Sequence, residues 1–447
     1  MSGLKNSKVA VIGGGMAGLA ATKSLLAEGF SVTIFESRRE LGGVWTGEGL
    51  TSDGDGLMYD GLETNVARSM MTFTDQPWSV DTPLSPPNNN VKQYLQCYAN
   101  DIQRLPDGLE SLTCYLGTQV IDVRYTPGSG MWTVDTQTNN ETAPKAKHFP
   151  SSRERGRDRW NAQHPGTILH SSQFQSAEFY RGKNVLIVGK GPSGLDISTR
   201  IHAFTDNVVV STRSDGRISD VIQYHVGPIE SFDASDMTVN FQGGITLRFD
   251  YIIYCTGFLY DFPFLSRRNE PLFERGIAMP DLFQHIFYKP MPTLAFVGLP
   301  KLTVTFMVAE AQSAVVARVF SRRLPCPTAE EMELWGSQVR STEPNMMMVV
   351  ARGLLTPDQY INRLSDWSSQ ATDFRRGPDI SEKLPPYYCT GMVNAQAVAG
   401  DARARYMAHG SNRFQYTTYR SLNFMLDIPC SSKVGGMGIL GMDAVNA

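Results

Sequence analysis

Twice in this chain a short apolar strand runs straight into a glycine turn of the form G-x-G-x-x-G, and no other feature restricts the fold as much. The first strand is residues 9–12, VAVI, followed by Gly13-Gly14-Gly15-Met16-Ala17-Gly18. Residues 19–28 then have helical composition, and Gly29 is a fitting stop. A second strand, residues 31–36 (SVTIFE), ends in the acid Glu36. The order strand, turn, helix, strand, acid has a mechanical reading. Gly13 permits the tight turn, Gly15 lets a pyrophosphate approach the backbone, and Gly18 allows the helix to pack closely. The phosphates would meet the helix N-terminus, and Glu36 would accept hydrogen bonds from ribose hydroxyls.

The second turn differs at its far end. The strand at 184–188 leads into Gly189-Lys190-Gly191-Pro192-Ser193-Gly194 and a helix-like segment at 195–202. The next strand, 207–211, ends in Ser211-Thr212-Arg213 with no acid. Hydroxyls and an arginine suit a ribose 2′-phosphate, which an acid would repel. The first site therefore suits FAD, with Gly13, Gly15, Gly18 and Glu36 as its contacts. The second suits NADPH, held by Gly189, Gly191, Ser193, Gly194, Thr212 and Arg213. Two such sites imply an electron relay from nicotinamide to flavin. Residues 249–258 (FDYIIYCTGF) read as an apolar strand closing on Thr256-Gly257, the return from the nicotinamide domain.

The destination of the electrons is bounded by what the chain lacks. Its six cysteines are scattered, with no C-x-x-C, which argues against a redox dithiol, a disulfide framework and a zinc site. Oxygen, a quinone-like acceptor or a small carbon substrate remain. A net charge of -3 gives no reason to expect nucleic acid or an anionic membrane as partner. No apolar run reaches the length of a bilayer span and no secretory leader is visible, so the expected place is the cytoplasm. Oligomeric state is not legible.

One more stretch is distinctive. Residues 164–174, HPGTILHSSQF, place Gly166, His170 and Phe174 at four-residue spacing just ahead of the second turn. With both glycine turns, this resembles the flavin-containing monooxygenases, whose fingerprint F-x-G-x-x-x-H-x-x-x-[YF] it matches apart from His164 in place of the first phenylalanine. The related Baeyer–Villiger enzymes are similar, but their fingerprint prefers tryptophan where Phe174 stands. Residues 41–45 (LGGVW) resemble the family's G-G-x-W segment, which places Gly43, Val44 and Trp45 at the flavin end of the cofactor; their plain alternative is a loop with an aromatic plug. Residues 64–78 (TNVARSMMTFTDQPW) resemble its T-N-x-P-K stretch, with Ala67-Arg68 in place of Pro-Lys, and imply that Asn65 lies at the flavin as the catalytic residue. Residues 292–300, with Glu310-Ala311-Gln312, resemble the strand and helix that close the flavin site, which implies a cofactor contact by Gln312.

The resemblance covers roughly residues 8–80 and 164–335. It implies an α/β fold of two Rossmann-like dinucleotide-binding domains, the NADPH domain inserted into the FAD domain. The expected boundaries are 1–163 and 286–447 for the FAD domain and tail, and 164–285 for the NADPH domain. The implied activity is oxygenation of a nucleophilic nitrogen or sulfur in a small molecule by dioxygen through a flavin C4a-hydroperoxide, with a place in specialised metabolism by analogy. The alternatives are a Baeyer–Villiger oxygenase and a catalytically impaired flavoprotein-like binding protein. The last arises because residues 136–163 form a polar, basic run where the family has an apolar strand. His170 is expected to be structural, holding the interdomain linker, and Met346-Met347-Met348 to be core filling.

Overall fold

In a computed structural model of the chain, the described residues are 7–47, 58–105, 111–138, 157–213, 225–265, 279, 281–301, 304–342, 355–371, 388, 402, 405–407 and 409–415. The β-branched runs near the start form β1 (Lys8–Ile12) and β2 (Ser31–Phe35), paired in parallel with Lys8 opposite Ser31 and Ile12 opposite Phe35. Helix α1 (Met16–Ala27) connects them and begins directly after Gly15, three residues earlier than its composition suggests. It buries Leu19, Ala20, Leu25 and Leu26 with Val32 and Ile34 of β2. In α2 (Asn88–Gln103), Val91, Tyr94, Leu95, Tyr98 and Ile102 recur at helical spacing and are all buried. The chain then adds β3 (Leu112–Tyr115) in parallel to the free side of β2. A hairpin of β4 (Thr118–Thr126) and β5 (Met131–Thr138) follows.

Residues 136–163, expected as an unpatterned run, are bounded by regular structure. Thr136–Thr138 complete β5, where Thr136 pairs with Val120, and Arg157–Gln163 form α3. Cross-strand pairing supplies an order that a polar sequence does not advertise. Residues 139–156 of that run lie outside the described residues.

A second parallel sheet is built from β6 (Ile168–His170), β7 (Val185–Val188), β8 (Val208–Ser211), β9 (His225–Val226) and, arriving last, β13 (Tyr251–Tyr254). Its order is β6-β13-β7-β8-β9. Val185, Leu186 and Ile187 are completely buried, as a central strand covered on both faces requires. Helix α4 (Pro192–His202) links β7 to β8. Between β9 and β13 lies an antiparallel meander of β10 (Ile229–Asp233), β11 (Thr238–Phe241) and β12 (Ile245–Arg248).

The chain closes with α5 (Thr305–Phe320), α6 (Ala329–Thr342) and α7 (Pro357–Ser369). Within residues 292–300, where the resemblance implies a strand, the backbone makes one isolated bridge, Ala295 with Phe287. Pro290 and Pro292 bring no N–H to a ladder there. Contacts divide the chain into two units. The first comprises Met1–Thr46, Val66–Glu141 and Asp261–Ala447; the second comprises Gly47–Asn65 and Thr142–Tyr260. This is an α/β fold of two Rossmann-like domains, the second inserted into the first. Met346-Met347-Met348 and the Gly-rich tail lie outside the described residues. Among the described residues no helix is long and apolar enough to cross a membrane, and no group of side chains could hold a metal ion.

Candidate functional site

Gly13 follows β1 with a φ of +97°, and its N–H donates to the Phe35 carbonyl at 2.8 Å. Gly15 caps α1 with extended backbone, no side chain caps that N-terminus, and no acid stands in the first turn. A Cβ on Gly18 would lie 1.9 Å from the Gly13 carbonyl oxygen, so the helix meets the turn at a distance only glycine allows. Glu36 is buried, and its Oε2 accepts from the Gly14 N–H at 2.6 Å while Oε1 accepts from the Arg38 N–H at 2.8 Å. The acid at the end of β2 is therefore bonded to the glycine turn itself, and what ribose hydroxyls would meet is the remaining lone-pair capacity of its two oxygens.

The LGGVW loop lies on this turn. The Gly42 N–H donates to the Gly14 carbonyl at 2.9 Å. A Cβ on Gly43, whose φ is +61°, would fall 2.8 Å from the Gly15 Cα. Gly43–Thr46 form a 3₁₀ turn in which Val44 is exposed and Trp45 half-buried. Arg38 Nη1 donates to the Gly43 carbonyl. Two residues that no motif marks secure the loop from α2. Lys92 Nζ donates to Glu40 Oε1 at 2.5 Å and to the Thr46 carbonyl at 3.0 Å, and Gln96 Nε2 donates to Glu40 Oε2 at 2.5 Å.

The second turn repeats the first. Gly189 has a φ of +109°, and its N–H donates to the Ser211 carbonyl at 2.9 Å. Gly191 caps α4, whose first turn holds Pro192, Ser193 and Gly194 and no acid. A Cβ on Gly194 would lie 2.0 Å from the Gly189 carbonyl oxygen. At the end of β8 the Ser211 hydroxyl donates to the Gly227 carbonyl at 2.9 Å. Thr212 is buried, with its N–H donated to Val226, and Arg213 is exposed. Of the polar groups expected there, Arg213 is the one left in solvent. Among the described residues, nothing lies within 4 Å of a Cβ on Gly191.

The fingerprint residues hold the second unit together. Gly166 turns with a φ of +81°. His170 is buried; its Nδ1 accepts from the Ser172 N–H at 3.2 Å, which leaves Nε2 to donate to the Gly257 carbonyl, also at 3.2 Å. Phe174 is buried edge-on to Tyr59 and stacked with Tyr180. Tyr59 Oη donates to Asp196 Oδ2 at 2.5 Å, and Arg200 Nε donates to the same oxygen at 2.6 Å. Burial, reinforced by the Asp196 carboxylate, raises the Tyr59 hydroxyl above its ordinary range and keeps it protonated as a donor. This cluster ties residues 58–64 to α4; Asn65 follows, exposed, where the chain passes from the second unit to the first.

Gln312 is completely buried on α5. Its Oε1 accepts from the Gly298 N–H at 2.7 Å, and its Nε2 donates to Tyr360 Oη at 2.7 Å. Gly298 in turn stands against α1, where a Cβ would be 3.1 Å from that of Ala17. Gln312 thus places a glycine turn beside the start of α1.

Both turns fit a dinucleotide. Each has a helix N-terminus without a capping side chain, a first turn free of carboxylates, and glycines where any Cβ would strike backbone. Among the described residues no thiol pair competes for electrons. Among the described residues Cys97, Cys114, Cys255 and Cys326 are all unbridged, and burial pushes Cys255 up to about 12.

The family model described as flavin-binding monooxygenase-like matches residues 6–239. The thiol-specific monooxygenase of Saccharomyces cerevisiae is 30% identical over 356 residues, which cover 74% of this chain and 81% of that protein. Flavin-containing monooxygenase FMO GS-OX-like 6 of Arabidopsis thaliana is 30% identical over 369 residues, covering 74% and 75% respectively. Among solved structures, S-allyl-L-cysteine S-oxygenase from Allium sativum superposes with a TM-score of 0.69 at 22% identity, over 91% of this chain and 95% of that one. Two glycine turns of unlike ribose end, the absence of a described dithiol and the extent of these matches agree: the chain belongs to the flavin-binding monooxygenase-like family, enzymes that use FAD and NADPH.

Proposed function

We propose that the protein oxygenates a nucleophilic sulfur or nitrogen of a small molecule, with sulfur the first choice. The observation that carries the pairing of cofactors is the contrast at the two ribose ends, buried Glu36 against exposed Arg213. Sulfur is favoured because the thiol-specific monooxygenase and the S-allyl-L-cysteine S-oxygenase named above are sulfur enzymes by name. FAD is assigned to Gly13, Gly15, Gly18 and Glu36, with Gly43, Val44 and Trp45 over the turn and Gln312 acting through Gly298. NADPH is assigned to Gly189, Gly191, Ser193, Gly194, Thr212 and Arg213, and Asn65 to the reacting atoms.

When bound, the cofactor pair supplies hydride transfer and activation of dioxygen. The chain's own part is binding and orientation. The N-termini of α1 and α4 would receive the pyrophosphates, and Arg213 would pair with the 2′-phosphate. The Tyr59–Asp196–Arg200 cluster fixes residues 58–64, so that the Asn65 amide is presented from an anchored backbone.

Purified protein supplied with NADPH and isotopically labelled dioxygen tests the reading against thioethers, thiols and tertiary amines. Labelled oxygen in a sulfur or nitrogen product is expected. NADPH consumption that yields only hydrogen peroxide with every such compound overturns it, as does a colourless protein that FAD cannot reconstitute. Asn65→Ala is expected to leave flavin reduction by NADPH unchanged and to lower product formed per NADPH roughly tenfold, the worth of one strong hydrogen bond. Unchanged coupling removes Asn65 from the site.

A further inference from the structure

The LGGVW loop covers the first glycine turn, and part of what holds it there comes from α2. Its two shoulders, Glu40 and Thr46, are both gripped by α2. Lys92 reaches the Glu40 carboxylate and the Thr46 carbonyl with one ammonium, and Gln96 takes the other Glu40 oxygen. Lys92 and Glu40 are each about one-third exposed, 30% at the side chain, so the pair is reachable by water and salt. Between the shoulders the Gly42 N–H donates to the Gly14 carbonyl, Gly43 lies against Gly15, and the buried Leu41 side chain packs on Gly14. A loop bridged at both ends to a separate helix must break those bonds before it can lift.

We propose that Lys92 and Gln96, acting through Glu40, are positioning residues that hold loop 41–45 closed over the first glycine turn and so set how slowly FAD leaves the protein. The proposal rests on the assignment of FAD to that turn. The grip changes retention without touching the chemistry, because neither side chain belongs to the glycine turns or to Asn65. It also makes retention sensitive to ionic strength, since a partly exposed ion pair is screened by salt.

Flavin fluorescence after dilution of the holoprotein measures release directly, and thermal unfolding of the apoprotein reports stability apart from cofactor. Lys92→Ala is expected to release FAD roughly tenfold faster, and Gln96→Ala roughly threefold faster, as loss of a part-exposed ion pair and of one part-exposed amide hydrogen bond to a carboxylate would give. Lys92→Arg is expected to stay close to the native rate. Native release should quicken with added sodium chloride, and Lys92→Ala should have lost most of that dependence. Arg124→Ala serves as control, because it breaks ion pairs to Asp122 and Asp135 on the β4–β5 hairpin of the same unit. The proposal is overturned if Lys92→Ala and Glu40→Gln release FAD at the native rate. It is equally overturned if Arg124→Ala speeds release as much, or if Lys92→Ala lowers the apoprotein melting temperature with no change in release. A native chain that takes up no FAD fails earlier and separately, because it overturns the cofactor assignment itself.

Discussion

The two glycine turns share a backbone and differ in everything brought to it from elsewhere. Gly13 and Gly189 turn at φ values of +97° and +109°, each with its N–H on the carbonyl of the neighbouring strand's last residue. Gly18 and Gly194 approach those turns to 1.9 and 2.0 Å from a would-be Cβ. Yet Gly15 is covered by Gly43, whereas Gly191 opens onto unfilled space among the described residues. Glu36 is tied to its own turn, and Arg213 stands in solvent. Backbone geometry answers to the phosphate, which is the same in both ligands; covering answers to how long a ligand stays, because release must first break whatever lies over it. On the proposed assignment, the covered first turn would hold a resident cofactor and the second one that exchanges.

The harshest challenge to that comparison is to spoil each turn in the same way. Gly18→Ala and Gly194→Ala each drive a methyl carbon into a backbone carbonyl, a clash worth about 3 kcal/mol or more. Gly18→Ala is expected to yield protein without flavin colour. Gly194→Ala is expected to yield coloured protein that NADPH no longer reduces. Loss of the same cofactor from both variants, read by absorbance, breaks the assignment. Arg213→Ala comes next: KM for NADPH should rise roughly tenfold, as removal of a charge-assisted pair predicts, with that for NADH nearly unchanged. Equal losses remove the 2′-phosphate role.

Tyr59→Phe removes one hydrogen bond to Asp196 from α4, the helix that follows the second turn. It should cost about 1 kcal/mol in thermal unfolding and lower coupling more than it lowers NADPH affinity. The gentlest test is chemical. Cys255 backs the second turn, its Cβ 3.4 Å from that of an alanine at 194. Because burial holds its thiol near 12, it is almost wholly protonated at neutral pH and should resist alkylation in the folded protein. Exposed Cys97 and Cys326 are expected to react first, as peptide mass mapping would show.

Much of the second unit was legible beforehand because its signals are local. Gly166 and Phe174 stand out by their spacing, and Gly166 turns with a positive φ while Phe174 is buried. His170, read as structural, is buried and bonded to Ser172 and Gly257. The signal failed where residue identity could not reveal a partner. The Gln312 amide spans Gly298 and Tyr360, partners that no motif names. At 292–300 one isolated bridge, Ala295 with Phe287, stands where the resemblance implies a strand. Lys92, 52 residues from Glu40, carries no motif, and a solvated lysine on a helix is the ordinary reading of such a residue.

What the sequence by itself determined is the pair of glycine turns and the chemical unlikeness of their strand ends. Both follow from constraints within a few residues: a missing Cβ, a β-branched run, an acid or an arginine at a strand end. Only the tertiary structure decided that one turn is covered and clasped and that the other, among the described residues, is open. A covering loop is held by hydrogen bonds between residues far apart in the chain, and such pairings exist only once the sheet and helices have brought them within about 3 Å of each other.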